Sequence, residues 1–191
     1  TILGSASTYV RGAIGGFQGR RLQQGDVVLL KLAGVDVRGE YAMPRPLDLA
    51  LDQPIRVVLG PQADYFTDDA VKTFLSSDYT VSPQADRMGY RLDGPPLAHA
   101  KGYNIVSDGI VSGAIQVPGS GRPIVLMVDN QTTGGYPKIA TVISADIPVV
   151  GRRKPGRPIC FVAVDVREAE LLRKEQEAAI RQEVERLRPV T

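Results

Sequence analysis

The sequence predicts a mainly β domain, a sandwich or a barrel, with one short helix and one long helix at its C-terminal end. Two observations carry that prediction. Short apolar, β-branched runs recur between turns rich in glycine and proline, with 20 Gly and 14 Pro in 191 residues, the pattern of many short strands. The last twenty-odd residues are different in kind, densely charged with an apolar stripe at helical spacing.

In chain order, Gly4 to Gly19 carries glycines at 12, 15, 16 and 19. No strand precedes this run and no Gly-Lys-Ser/Thr follows, so it is neither a dinucleotide fingerprint nor a phosphate loop. It reads as turns and bulges. Gln24-Gly25-Asp26 turns into an expected strand, Val27–Leu32, and Gly39 to Pro54 reads as a connector. Ile55–Leu59 is a strand stopped by Gly60-Pro61. Thr67 is placed to cap a short helix through Asp68, Asp69, Val71, Phe74 and Leu75, with both acids at its positive end. A meander of Tyr79–Val81 and Met88–Leu92 is followed by strands at Ser112–Val117, Ile124–Val128 and Pro158–Val164. Ile139–Ile143 also reads as a strand, although a helix is possible there. Asp165 caps a helix from Arg167 to about Arg188, ended by Pro189. Its stripe of Ala169, Leu172, Ile180, Val184 and Leu187 has a gap at Gln176, and six basic residues match six acidic ones.

Composition excludes several classes of function. Net charge is +2, from 23 basic and 21 acidic residues, too small to argue for nucleic acid. Trp is absent and aromatics are 6%, so base-stacking platforms are not expected. No apolar run approaches the about 20 residues of a membrane span, and a cytoplasmic protein is the expectation. Cys160, the only cysteine, reads as a structural thiol in an apolar strand. His99, the only histidine, reads as part of a surface connection, and no metal-ligand spacing occurs. The basic loop Gly151–Arg157 reads as a solvated turn.

The stretch Asp129-Asn130-Gln131-Thr132-Thr133-Gly134-Gly135-Tyr136-Pro137-Lys138 is the best site candidate. It empties from the apolar run Pro123–Val128 and surrounds two adjacent glycines with an acid, amides, hydroxyls, a phenol and an amine. Lys138 has the chemistry to hold a carbonyl oxygen, a carboxylate or a phosphate as a point charge. Gln116 is an amide in an apolar strand and needs partners if buried. Arg87 and Arg91 flank a strand near Asp86, and a guanidinium can grip a carboxylate in a forked geometry, or can serve only a structural ion pair.

Three stretches together resemble one family. They are Val81 to Pro95, with Ser-Pro-Gln-Ala-Asp-Arg-Met-Gly-Tyr-Arg at its centre; Gly113-Ala-Ile-Gln-Val-Pro-Gly119; and Gln131-Thr-Thr-Gly-Gly-Tyr-Pro-Lys-Ile-Ala140. Gly4–Tyr9 and Gly15–Arg20 match as well. The resemblance is to the carboxyltransferase-domain family that includes the C subunit of bacterial 5-oxoprolinase, also known as allophanate hydrolase subunit two, and a region of urea carboxylase. It implies a cyclophilin-like β-barrel with a short helix and a long C-terminal α-helix. It also implies assembly with 5-oxoprolinase subunits B and A, and ATP-driven conversion of 5-oxo-L-proline to L-glutamate, with no ATP site evident in this chain. The family's N-terminal region, with its Val-Gln-Asp-x-Gly-Arg motif, is absent here. Its Gln-Leu-Arg-Pro-Gly-Asp turn is replaced by Gly151–Arg157. The expected organisation is therefore a Gly/Pro-rich segment, 1–54, continuing from a missing N-terminal half that acts as a partner, then a barrel, 55–166, and a charged helix, 167–191.

On this resemblance the expected catalytic residues are Lys138, stabilising negative charge on oxygen, and Gln131. Arg87, Gln116, Thr133, Gly134, Gly135 and Tyr136 are the expected substrate-binding residues. Two alternatives stand beside this reading: carboxyl transfer from carboxybiotin to a urea-like amide, and a non-catalytic module paired with a kinase inhibitor that looks like the B subunit.

Overall fold

The computed structural model describes residues 2–29, 39–44 and 53–189. The chain forms two compact units, 1–40 with 189–191 and Tyr41–Arg188.

In the first unit, β1 (Thr8–Tyr9) pairs antiparallel with β2 (Ile14–Gly15). The glycine run is the series of turns its sequence suggests. Gly16 lies at φ +50°, and a Cβ there would sit 1.7 Å from Thr8 Oγ1, so only glycine fits. Arg20 closes the unit's main turn with a forked pair to Asp26, at 2.8 and 2.7 Å. Of the expected strand at 27–32, Val27 to Leu29 form no ladder, because β1 and β2 pair only with each other among the described residues; 30–32 lie outside the described residues.

The second unit begins with β3 (Tyr41–Ala42), followed by the strands that build the main sheet: β4 (Ile55–Leu59), β5 (Tyr79–Ala85) and β6 (Gly89–Asp93). Then come β7 (Asp108–Gly109), β8 (Ala114–Gln116), β9 (Ile124–Leu126), β10 (Thr133–Gly134), β11 (Lys138–Val142), β12 (Pro158–Ile159) and β13 (Phe161–Ala163). Eight of them form one sheet in the order β12-β5-β6-β9-β8-β11-β4-β13, and β7 pairs with β10 in a separate two-stranded ribbon. The two sheet edges are neighbours in sequence. The segment 158–163 pairs antiparallel with β5 before Cys160 and parallel with β4 after it, and Cys160 O accepts from Ile55 N at 2.8 Å. One kinked stretch therefore joins both edges, and the sheet is a nearly closed eight-stranded barrel, the architecture the family resemblance implies.

Local chemistry explains the elements. In β4, Ile55 and Val57 are fully buried while Arg56 and Val58 are partly exposed, the period-2 alternation of a half-buried strand. β5 runs past the expected end at Val81, but its register with β6 shifts between Val81 and Ala85, where Pro83 has no N–H to donate. The segment 139–143, open to either reading, is strand. Thr67 accepts from Ala70 N at 3.1 Å and starts helix α1 (Asp68–Ser76), whose Phe74 stacks on Phe161 at 4.6 Å between ring centroids. Removing the Phe74 ring would cost about 3–5 kcal/mol.

A short helix not anticipated from the sequence, α2 (Ile147–Gly151), follows a tight turn at Ser144–Asp146. Asp146, 1% exposed, accepts from Arg56 N at 2.8 Å and from its guanidinium at 3.0 and 2.6 Å. The basic loop after α2 is not wholly a solvated turn. Arg153 is buried and donates to Pro158 O at 2.6 Å and Gln53 O at 2.9 Å, because its fork spans two chain segments that no ladder joins. Helix α3 (Val166–Glu185) is capped by Asp165, which accepts from Glu168 N. The gap in its apolar stripe also has a cause: Gln176 donates to Ala145 O at 2.9 Å, fastening the helix to the 144–146 turn. No helix among the described residues is long and apolar enough to cross a membrane.

Candidate functional site

The site is built where β8, β11 and the β7–β10 ribbon meet. Lys138 opens β11 directly opposite Gln116 on β8. Both face away from the apolar side of the sheet, where Ile115 meets Val125. The ribbon brings Gly134 opposite Asp108, and with its flanks it covers this outward row, leaving Lys138 and Gln116 only 3% and 2% exposed.

A buried ammonium needs acceptors, and Lys138 has them. Its Nζ donates to Asp108 Oδ2 at 2.6 Å and to Gly109 O at 2.8 Å. Gln62 completes the frame: its amide donates to Asp108 Oδ2 and accepts from Lys138 N, both at 3.1 Å, while Gln62 N donates to Lys138 O. The Lys138 ammonium, then the Gln62 amide and Gly109 N–H, hold the Asp108 carboxyl below the ordinary carboxylate range. An ammonium has three N–H donors, and two of them are committed here.

Beside it, Gln116 Nε2 donates to Tyr136 O at 3.4 Å. Gly134 permits this arrangement by close approach. A Cβ there would meet Ile110 Cδ1 at 2.5 Å and Gln116 Nε2 at 2.6 Å, with Gln131 Nε2 at 3.5 Å. Neither Gly134 nor Gly135 has a positive φ. Gly135 O accepts from Ile105 N at 2.8 Å, Thr133 pairs with Gly109, and Tyr136 is 40% exposed.

The structure thus gathers Lys138, Gln116, Gln131, Thr133, Gly134, Gly135 and Tyr136 around one ribbon. It does not bring Arg87 to them. Arg87 lies beyond the Gly89–Leu126 end of the β6–β9 pair, whereas Gln116 faces Ile124 at the other end, and its guanidinium is held by Asp129 at 2.7 and 3.1 Å. Sequence reasoning missed Asp108 and Gln62. The first sits in an Asp-Gly pair that reads as a plain turn, the second behind a Gly-Pro strand stop. Only the fold, which sets them 30 and 76 residues from Lys138 in sequence, makes them neighbours. His99 is structural: its Nε2 lies 3.0 Å from Val117 O and its ring packs on Phe66. Among the described residues no group of His, Cys, Asp and Glu could hold a metal ion.

The whole chain, not only the barrel, has known relatives. The family described as carboxyltransferase domain, subdomain A and B, matches residues 1–163, and the chain belongs to it. It is 38% identical to the 5-oxoprolinase C subunit of Escherichia coli (strain K12) over 92% of this chain and 56% of that protein. It is 39% identical to the 5-oxoprolinase C subunit of Haemophilus influenzae over 92% of this chain and 55% of that protein. The chain spans about half the length of these curated relatives. Among solved structures it superposes on the K. lactis urea amidolyase with a TM-score of 0.78 at 29% identity, covering 96% of this chain and 12% of that one.

Proposed function

We propose that this chain acts within a 5-oxoprolinase, as part of its C subunit, where it helps open 5-oxo-L-proline to L-glutamate with ATP hydrolysis in a complex with subunits B and A. The observation that carries this reading is the buried Lys138 ammonium beside the Gln116 amide. A lactam presents a carbonyl oxygen and an N–H on one edge. Lys138 holds the oxygen as negative charge grows on it, while Asp108 and Gln62 keep the ammonium in place. Gln116 and Gln131 hydrogen-bond the amide edge, and the glycine ribbon keeps water from the ammonium. A preorganised donor of this kind is worth roughly 10²–10³-fold in rate. Phosphoryl transfer from ATP takes place elsewhere in the complex.

The test is turnover of 5-oxoproline by the reconstituted complex carrying Lys138→Ala. A fall of roughly 10²–10³-fold is expected, and unchanged turnover sinks the assignment. A second reading rests on the likeness to urea amidolyase: carboxyl transfer from carboxybiotin to an amide. The same donors suit the ureido ring, with Gln116 on its amide edge and Lys138 on its oxygen. Biotin-dependent carboxylation of urea by a complex that contains this chain and does not turn over 5-oxoproline would select that reading.

A further inference from the structure

The cross-strand register extends the Lys138–Gln116 row beyond the ribbon. Lys138 faces Gln116, Gln116 faces Ile124, and Ile124 faces Arg91. Directly opposed residues of antiparallel strands lie on the same side of a sheet, so these four form one line across β11, β8, β9 and β6. The ribbon covers the first two. The line then runs into a groove of about 200 Å³ whose polar lining is Ser82, Gln84, Arg91, Asp93, Ser120 and Arg122, with Leu92, Pro123 and Ile124 as its apolar part.

The groove's charge is unbalanced. Asp93 is engaged by Arg122 at 2.9 Å. Among the described residues Arg91 has no ion pair, and its side chain is exposed. One unmatched positive charge therefore faces the groove beside a second guanidinium whose fork is only partly used. The hydroxyls are oriented by the backbone: Ser82 Oγ accepts from Gln84 N at 3.2 Å and Ser120 Oγ from Arg122 N at 3.4 Å, which leaves each O–H free to donate. Two guanidiniums and two hydroxyl donors around a small space make an oxyanion receptor.

We propose that this groove binds a carboxylate or phosphoryl oxyanion. Arg91 supplies the forked contact, Arg122 a second N–H, and Ser82 and Ser120 the flanking O–H donors. Three strand spacings separate the Arg91 backbone from that of Lys138, about 14 Å at the usual 4.8 Å per strand. That exceeds the length of a single small lactam acid, so the groove is a site separate from the Lys138 cluster and takes the anionic end of a longer or a second ligand.

The test is a titration of the purified chain with inorganic phosphate and, separately, with acetate, against chloride at matched ionic strength, following the Nε–Hε signals of Arg91 and Arg122 by NMR. Saturating shifts at both arginines are expected, with affinity falling about tenfold in Arg91→Gln, the worth of one charge-assisted contact. Arg122→Gln gives an independent second variant, and thermal unfolding checks that each folds. Tighter binding of phosphate assigns a phosphoryl ligand, and tighter binding of acetate a carboxylate. Lys138→Met is expected to leave the affinity within about twofold, as distant sites do. Shifts no larger than chloride gives, affinity unchanged in Arg91→Gln, or a loss in Lys138→Met as large as in Arg91→Gln would each overturn the proposal.

Discussion

Lys138 and Arg153 are both buried cations, 3% and 7% exposed, and they are buried for opposite reasons. Arg153 donates to two backbone carbonyls from separate segments, Pro158 and Gln53, and has no carboxylate partner among the described residues. It works as a clamp. Lys138 is held by the half-exposed carboxylate of Asp108 and one carbonyl. The difference separates a charge that only fastens the chain from one that, on the proposed function, meets the substrate. Arg153 is anchored through its two terminal nitrogens, with Nε left buried and unpaired among the described residues, whereas the Lys138 ammonium is a compact point charge on a flexible stem.

Substitutions can sharpen that contrast, taken from the largest effect downward. Beyond the loss of turnover expected of Lys138→Ala, Arg153→Ala should lower stability by about 2–4 kcal/mol in urea unfolding, since it orphans two carbonyls, while the folded fraction keeps full turnover. If turnover instead falls with no loss of stability, the clamp reading fails. Gly134→Ala should cost about 1–3 kcal/mol through overpacking against Ile110 and Gln116 and reduce turnover as well, because the ribbon must lift. Retention of both would show that the close approach at Gly134 is not tight.

The smallest effect is a pH dependence. Asp108 titrates below its ordinary value in the folded chain because Lys138 and Gln62 bind its charged form. A depressed folded pKa adds stability above the unfolded value of about 3.9 and loses it as pH falls through the lower folded one. The stability gap between wild type and Lys138→Met should therefore narrow on acidification below about pH 4. Among the described residues Arg153 has no carboxylate partner to protonate, so the Arg153→Ala gap should persist through the same range. Equal narrowing in both would erase the distinction.

Much of the fold was legible because strands and caps are local. Thr67 and Asp165 announced their helices, and the alternation of Ile55 and Val57 with Arg56 and Val58 announced its strand. Arg153 was not legible, since nothing in Gly151–Arg157 says that one of its cations turns inward to reach Gln53. Half of the candidate site was legible for a related reason. Lys138, Gln131 and the glycines share one polar run, and Gln116 stands out in an apolar strand. Asp108 and Gln62 are brought to Lys138 by sheet pairing alone. Arg87 was expected in the pocket on the family resemblance, its residue type leaving a structural ion pair open, and the register places it beyond the far end of β9, on Asp129.

The seam at Cys160 has a consequence for synthesis. Strands β4 and β5 both take their outer partner from residues 158–163. A chain leaving the ribosome therefore carries two bare strand edges until that stretch has emerged. Closure is then a late, single event, and a chain interrupted before Pro158 would present both edges to its neighbours as templates for aggregation.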